Sequence, residues 1–468
     1  MAVALGAALV VPRIGTINQS LWNDEILTIQ RYVSRGPAGI FEHYTPNDHM
    51  LFSLLAWLTV WLPHGPDWMS RVWAVVPFIA AVVGVAGWLW IRVGAIVAGA
   101  FAAFAVTSPT LLQLTTEARG YGLAFMCMGL LVVSAHEAAV SRSPRWAGAF
   151  CVASVLGAWT VPTFVLPAVG ASAALVLTGR ELRRILVPRL LVAAAAIAAW
   201  YAPILGDLLH STGQQFGSRL PWDAPVTGGF SLFADAFVNG TFDSRAVVRL
   251  SACAAVAPLL LIGIRQARRL IPQFVVPTIA LICGTLTVLT VSRMWLDSRF
   301  LSFLLVPIFI YAALGSGLLL RHAHERPAGF FYASLVLVVA SGGFVLDAKS
   351  ALSLPYENNR AAASAIVAAD RGGKTPVISN LHSTAGIGYY LPSAIPLRTV
   401  AQNDLEHAIC RHHPRGLVFV QQPYHVSTVK TGCLLRQGAT VERVLQRARG
   451  GSISIWIVRP KGRSGARG

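Results

Sequence analysis

Apolar runs of roughly 20 residues, the length a helix needs to cross a hydrocarbon core, recur through most of the first 346 residues of this chain. Such runs leave few options. A backbone in lipid must satisfy its own hydrogen bonds, which an α-helix does within one segment. The composition agrees, because 55% of the 468 residues are hydrophobic and only 12% are charged, which is not the balance of a soluble domain. An all-α polytopic membrane bundle is expected. A net charge of +18 would suggest nucleic acid in a soluble protein, but here many arginines lie in short loops between apolar runs. That is the signature of cytoplasmic loops, and no nucleic-acid partner is expected.

Charge also sets the orientation. Basic connections at Arg92, Arg142 to Arg145, Arg180 to Arg184, Arg265 to Arg269 and Arg321 to Arg326 alternate with poorly basic ones. Placing the basic set in the cytoplasm gives spans near 1–14, 71–91, 94–113, 121–140, 146–161, 163–178, 186–205, 248–264, 271–291, 300–320 and 328–346, or about eleven helices. The first of these opens on Ala2 to Pro12, short for a span and without a signal-peptide cleavage pattern. The run Met50 to Leu62 is only about 20 Å long as a helix. Counting it as a span would put Arg92 outside and break the alternation, so it reads as an interfacial or re-entrant helix within a first external loop, 15–70. In the same loop Trp22, Ile26, Ile29 and Val33 recur at helical spacing, with Asp24, Thr28, Arg31 and Arg35 on another face, as in a helix lying along a membrane surface.

From about Pro355 the pattern changes to short strand-like runs (Pro376 to Ser379, Gly416 to Val420, Ile453 to Val458) with helix-like pieces such as Asn358 to Asp370 between them. This predicts a small C-terminal α/β domain. The expected division is a transmembrane domain at 1–348 and a soluble domain at 349–468, the latter external because the span count is odd. Cys127, Cys151, Cys253 and Cys283 fall in apolar segments, whereas Cys410 and Cys433 fall in the tail and are expected to lie close enough to pair. His322-Ala323-His324 and His412-His413 read as basic loop residues, not metal ligands.

Four polar sets fall on the external side in this topology: Asp24 and Glu25; Asn47-Asp48-His49; Glu117-Ala118-Arg119-Gly120-Tyr121; and Arg293 with Asp297-Ser298-Arg299-Phe300. Each has an ordinary explanation alone. Glu117 with Arg119 makes an ion pair at a helix end, and Arg299 makes a snorkelling anchor. Together they put acids opposite cations at one membrane face, where charge is costly and tends to be functional.

At these residues the sequence resembles the GT-C class of membrane glycosyltransferases, in particular its protein-mannosyltransferase-like and aminoarabinose-transferase-like bacterial group. The matching features are Trp22-Asn23-Asp24-Glu25, Pro46-Asn47-Asp48-His49 followed by Leu51 to Leu55, Thr107-Ser108-Pro109 leading into Glu117 to Tyr121, and Arg299-Phe300-Leu301 ahead of Pro307. The resemblance is clearest over 20–140, weaker to about 310 and absent in the tail. Met50 stands where many relatives carry proline, and Phe300 where they carry tyrosine.

The resemblance implies an inverting transfer of a sugar from a polyprenyl-phosphate donor to an acceptor hydroxyl on a glycan, lipid or protein, at the outer face of a bacterial plasma membrane. Asp24 matches the family's general base, which takes the hydroxyl proton during attack. Glu25, His49, Glu117, Arg119 and Arg299 are the expected substrate-binding residues. Negative charge grows on the leaving phosphate, and a guanidinium can meet its oxygens at two points, which suits Arg299 and Arg119. Glu117 orients Arg119 or binds a sugar hydroxyl; His49 holds Asp24, contacts phosphate or caps the following helix. Some relatives use a divalent cation, for which Asp24 and Glu117 are the candidate ligands, but a donor with a single phosphate does not require one. The competing readings are a transporter or lipid flippase and a non-catalytic envelope scaffold.

Overall fold

The computed structural model describes residues 2–45, 48–59, 66–210, 246–292, 298–322, 327–353, 357–369, 377–395, 397–400, 417–421, 440–447 and 453–459, together with 234, 236, 325 and 355. Asn47, Arg293, Asp297, Cys410 and Cys433 lie outside that set. The chain divides into two compact units, one of residues 1–17 with 31–348 and one of residues 18–30 with 349–468.

The first unit is helical. Its α-helices, numbered along the whole chain, are α1 (Ala2–Thr16), α3 (Gly36–Glu42), α4 (Met50–Thr59), α5 (Pro66–Arg92), α6 (Ala95–Thr107), α7 (Pro109–Leu114), α8 (Tyr121–Ser141), α9 (Pro144–Thr160), α10 (Val165–Thr178), α11 (Arg180–Tyr201), α12 (Ala246–Leu270), α13 (Pro272–Ser292), α14 (Leu305–Arg321) and α15 (Pro327–Ser353), the last running into the second unit. Among the described residues six helical stretches are long and apolar enough to cross a membrane: Asp67–Arg92, Tyr121–Ser141, Arg180–His210, Pro272–Ser292, Arg299–Arg321 and Pro327–Ser353. The ten-residue α4 is about 15 Å long, half of what a span requires.

Ser-Pro pairs start two of the shorter connections. Ser108 and Ser143 sit at N-caps with proline at the first helical position, where its missing N–H costs nothing. The α8 to α9 turn is tight, and Arg142 takes a left-handed φ of 50° there while its guanidinium meets Glu181 at 2.6 Å. Between helices, glycine permits backbone contact. A Cβ on Gly122 of α8 would lie 1.9 Å from the Ala74 carbonyl oxygen of α5, so only glycine lets these helices approach this closely. That crossing fixes the N-terminal end of α8, where the polar residues of the unit collect.

The second unit holds α2 (Asn23–Thr28), α16 (Asn359–Ala369) and α17 (Leu381–Tyr390), with strands β1 (Val377–Asn380), β2 (Leu397–Val400), β3 (Leu417–Gln421), β4 (Thr440–Gln446) and β5 (Ile453–Arg459). The sheet order is β2-β1-β3-β5-β4. β1 pairs in parallel with β2 and β3, and β5 pairs antiparallel with β3 and β4. Ala362, Ala363 and Ile366 of α16 pack with Val377, Ile387, Val418, Ile453 and Ile455 in its core. Residues 18–30 are tied to this unit by polar contacts: Leu21 N–H to Tyr390 Oη at 2.8 Å, Asn23 N–H to Glu357 Oε2 at 2.9 Å, Asn359 Nδ2 to the Leu21 carbonyl at 3.0 Å, and Arg360 to the Asn18 carbonyl at 3.1 Å.

Candidate functional site

Two groups of the sequence-expected residues are placed, one in each unit. In the second unit Asp24 and Glu25 occupy the first turn of α2, where carboxylates complement the helix N-terminus. Glu25 is fully buried, and its Oε2 accepts the Trp22 N–H at 3.0 Å, the position of a side chain that closes a helix start. Asp24 is half-buried, with its carbonyl taken by the Thr28 hydroxyl at 3.0 Å.

In the first unit four of the expected residues come together at the N-terminal end of α8. The α7 helix ends at Leu114, and the segment 115–120 turns back into α8. The turn is tight, with the Arg119 N–H donating to the Glu117 carbonyl at 2.7 Å. Glu117 is buried and accepts from Gln113 Nε2 at 3.1 Å, one helical turn away. Arg119 is fully buried, and its guanidinium lies 5.2 Å from the centre of the Tyr121 ring. Arg299 enters from the 3₁₀ turn Ser298–Leu304, with its guanidinium 5.6 Å from the Phe300 ring. Thr163 fixes that turn by donating its hydroxyl to the Phe300 carbonyl at 3.2 Å.

His49 completes the group from the first loop. Its ring stands edge-on to Tyr121 at 4.9 Å and faces Phe300 at 6.4 Å. It is buried, and neither ring nitrogen has a hydrogen-bond partner among the described residues. Burial, and then the guanidinium charges of Arg119 and Arg299, hold its imidazole well below the ordinary histidine range, so it stands neutral between two cations. Gly120 makes room for it. A Cβ there would lie 3.0 Å from His49 Nδ1 and 2.6 Å from Thr160 Cγ2. Two guanidiniums, a neutral imidazole able to donate one hydrogen bond and an aromatic wall suit an anion attached to an apolar body.

Two buried groups have no role assigned from the sequence, Asp48 although it is named there with Asn47 and His49. Asp48, adjacent to His49, is 2% exposed and accepts from the Ser53 hydroxyl at 3.2 Å on Oδ1. Its signal was present, an acid at the threshold of an apolar helix. Arg13 is fully buried at the end of α1, donating to Thr115 Oγ1 at 3.1 Å with its guanidinium 4.4 Å from the Phe78 ring. It props the start of the 115–120 turn from below. Nothing in a lone arginine closing an apolar run announces that contact. Among the described residues no group of three or more His, Cys, Asp or Glu is placed to hold a metal ion.

No family model and no curated protein matches the sequence. Solved structures do match in fold. ArnT from Cupriavidus metallidurans bound to undecaprenyl phosphate is similar with a TM-score of 0.59, at 14% identity over 97% of this chain and 97% of that one. The same protein in the apo state gives a TM-score of 0.57 at 11% identity over 97% of each chain. The Archaeoglobus fulgidus oligosaccharyltransferase in complex with Zn and sulfate gives 0.51 at 12% identity, over 88% of this chain and 67% of that one. The chain therefore has the fold of the GT-C membrane glycosyltransferases.

Proposed function

We propose that this chain is an inverting glycosyltransferase that moves a sugar from a polyprenyl-phosphate donor to an acceptor hydroxyl at the outer face of a bacterial plasma membrane. The carrying observation is the convergence of His49, Arg119 and Arg299 at one end of α8 in a chain with the GT-C fold. A neighbour of that fold is bound to undecaprenyl phosphate, which supports a lipid phosphate as the anion.

In this reading the sugar-bearing carbon is attacked by the acceptor oxygen as its bond to the phosphate oxygen breaks. Asp24 takes the hydroxyl proton. The charge that develops on the departing lipid phosphate is met by Arg119 and Arg299, whose attraction grows toward the transition state and so accelerates the chemical step. His49, kept neutral, adds one N–H hydrogen-bond donor without adding a charge. Glu117 orients this set and Gln113 orients Glu117. The basic connection after α8 supports an external placement of this end of the helix by the positive-inside rule.

The testing experiment is transfer by the full chain in nanodiscs with Asp24→Asn, combined with mass spectrometry of envelope glycans and lipid-linked sugars in a deletion strain. Transfer should vanish in the variant while donor binding persists, and the strain should accumulate a polyprenyl-phosphate sugar. Substrate-dependent flux in vesicles that survives Asp24→Asn, with no glycan change in the strain, would replace this reading with transport.

A further inference from the structure

Asp48 and His49 are adjacent in sequence but have different surroundings. His49 meets Tyr121, Phe300 and the charges of Arg119 and Arg299. Ser53 of α4 holds the Asp48 Oδ1, and the Asp48 Oδ2 is buried with no hydrogen-bond partner among the described residues. Tyr32 from the π-helical turn Ile29–Val33, Tyr44 from its own loop and Tyr201 from α11 lie within electrostatic reach of it. Two of these phenols are anchored in turn, Tyr32 to Thr45 Oγ1 at 2.7 Å and Tyr201 to the Ala158 carbonyl at 2.5 Å. The Asp48 N–H donates to the Thr45 carbonyl at 2.8 Å.

We propose that Asp48 is a positioning residue for His49, an uncharged carboxyl that seats itself and the adjoining His49 beside Ser53, within reach of Tyr32, Tyr44 and Tyr201, and whose ionisation unseats His49 and weakens donor binding. This rests on the phosphate-site reading above. A buried carboxylate without a cationic partner is costly, so the site either keeps the proton or opens to water. Burial accordingly pushes the Asp48 carboxyl well above its ordinary range, while the Ser53 hydroxyl pulls it back. The sign follows. Below the raised value the group is neutral and His49 is seated; as pH rises through it, the charge appears and His49 loses its place beside the two arginines.

The test is binding of a polyprenyl monophosphate to the full chain in nanodiscs from about pH 5 to about pH 9, for wild type, Asp48→Asn and Ser53→Ala. The probe's own second ionisation, near pH 6, is common to all three and cancels in their ratios. Wild-type affinity should fall on the alkaline side at least about fivefold relative to Asp48→Asn, which cannot ionise and matches wild type at low pH. Ser53→Ala removes the bond that favours the charged form, so its fall should move to higher pH. If Asp48→Asn fails to fold, that shift alone decides the matter. Parallel profiles in all folded variants overturn the proposal and leave the phosphate site standing. Absence of binding at every pH, in folded wild type, overturns both.

Discussion

Helix α8 carries a buried polar cluster at each end, and the two ends are finished differently. Near its C-terminus every carboxylate oxygen of Glu137 is engaged. Trp88 Nε1 and Arg92 Nε each donate to Oε1 at 2.9 Å, and a second Arg92 nitrogen donates to Oε2. Near its N-terminus, about 24 Å away along the axis at about 1.5 Å per residue, two guanidiniums flank a buried imidazole whose nitrogens have no partner among the described residues. A charge whose partners are all supplied by neighbouring helices fastens those helices together. A cluster weighted to one sign suits a ligand of the other. On the proposed reading, substitutions at the two ends of this helix should separate stability from turnover.

The largest expected effect lies at the ligand end. Arg299→Ala should lower turnover by roughly 3–4 kcal/mol, on the order of 100- to 1000-fold, with donor affinity falling less and stability hardly moving. Arg299→Lys keeps the charge and loses the planar two-point contact, so it should fall between wild type and the alanine variant. Initial rates against donor concentration measure both. Near-wild-type turnover in folded Arg299→Ala would make Arg299 an interface anchor and shift the phosphate role to Arg119.

At the other end the signs reverse. Glu137→Ala leaves Arg92 and Trp88 Nε1 without their acceptor, and should cost roughly 1–3 kcal/mol of stability, the lower part of the range applying because Arg92 is 39% exposed. Turnover per folded molecule should stay within about twofold. Thermal unfolding in detergent beside specific activity checks it. A loss of turnover at full stability would mean that the two ends communicate, and the comparison would fail.

How much of this was legible in the sequence differs between the units for a physical reason. Helices such as Tyr121–Ser141 announce themselves because lipid demands long apolar runs. Likewise His49, Glu117, Arg119 and Arg299 were conspicuous because charge in such a chain is rare, and three of them are now seen to bear on one imidazole or its flanking turn. The grouping of 18–30 with 349–468 was not legible. It depends on side-chain contacts across more than 300 positions, such as Asn23 N–H to Glu357, which leave no periodic trace. Asp48 was visible but uninterpreted, because its meaning comes from tyrosines on three separate elements. Nor does spacing reveal that Glu25 closes a helix start, since that requires knowing where α2 begins.

A smaller effect probes the fit of the ligand end without touching a charge. Gly120→Ala would set a Cβ 2.6 Å from Thr160 Cγ2 and 3.0 Å from both Cβ and Nδ1 of His49. The imidazole must then move by a few tenths of an ångström, and turnover should fall about tenfold, or about 1.4 kcal/mol. Adding Thr160→Ala frees the other side and should restore most of the loss. An unrescued double variant would locate the damage in the backbone of the 115–120 turn instead.

The smallest expected effect concerns Phe300, which stands where the resembling family carries tyrosine. Its ring faces His49 at 6.4 Å and Tyr121 at 6.4 Å, and its carbonyl, not its side chain, anchors the 3₁₀ turn through Thr163. The wall it forms is apolar contact, which a phenol ring supplies equally well. Phe300→Tyr should therefore leave turnover within about twofold, provided the added hydroxyl finds a partner and is not left buried and unpaired at a cost of about 1–3 kcal/mol. Phe300→Ala removes the wall and should cost more, through both packing and His49 orientation. Initial rates for the two variants, with folding checked by thermal unfolding, separate these cases. A gain in Phe300→Tyr would show that the hydroxyl reaches the anion beside Arg299, so that the ligand end of α8 has one donor fewer than its chemistry can use.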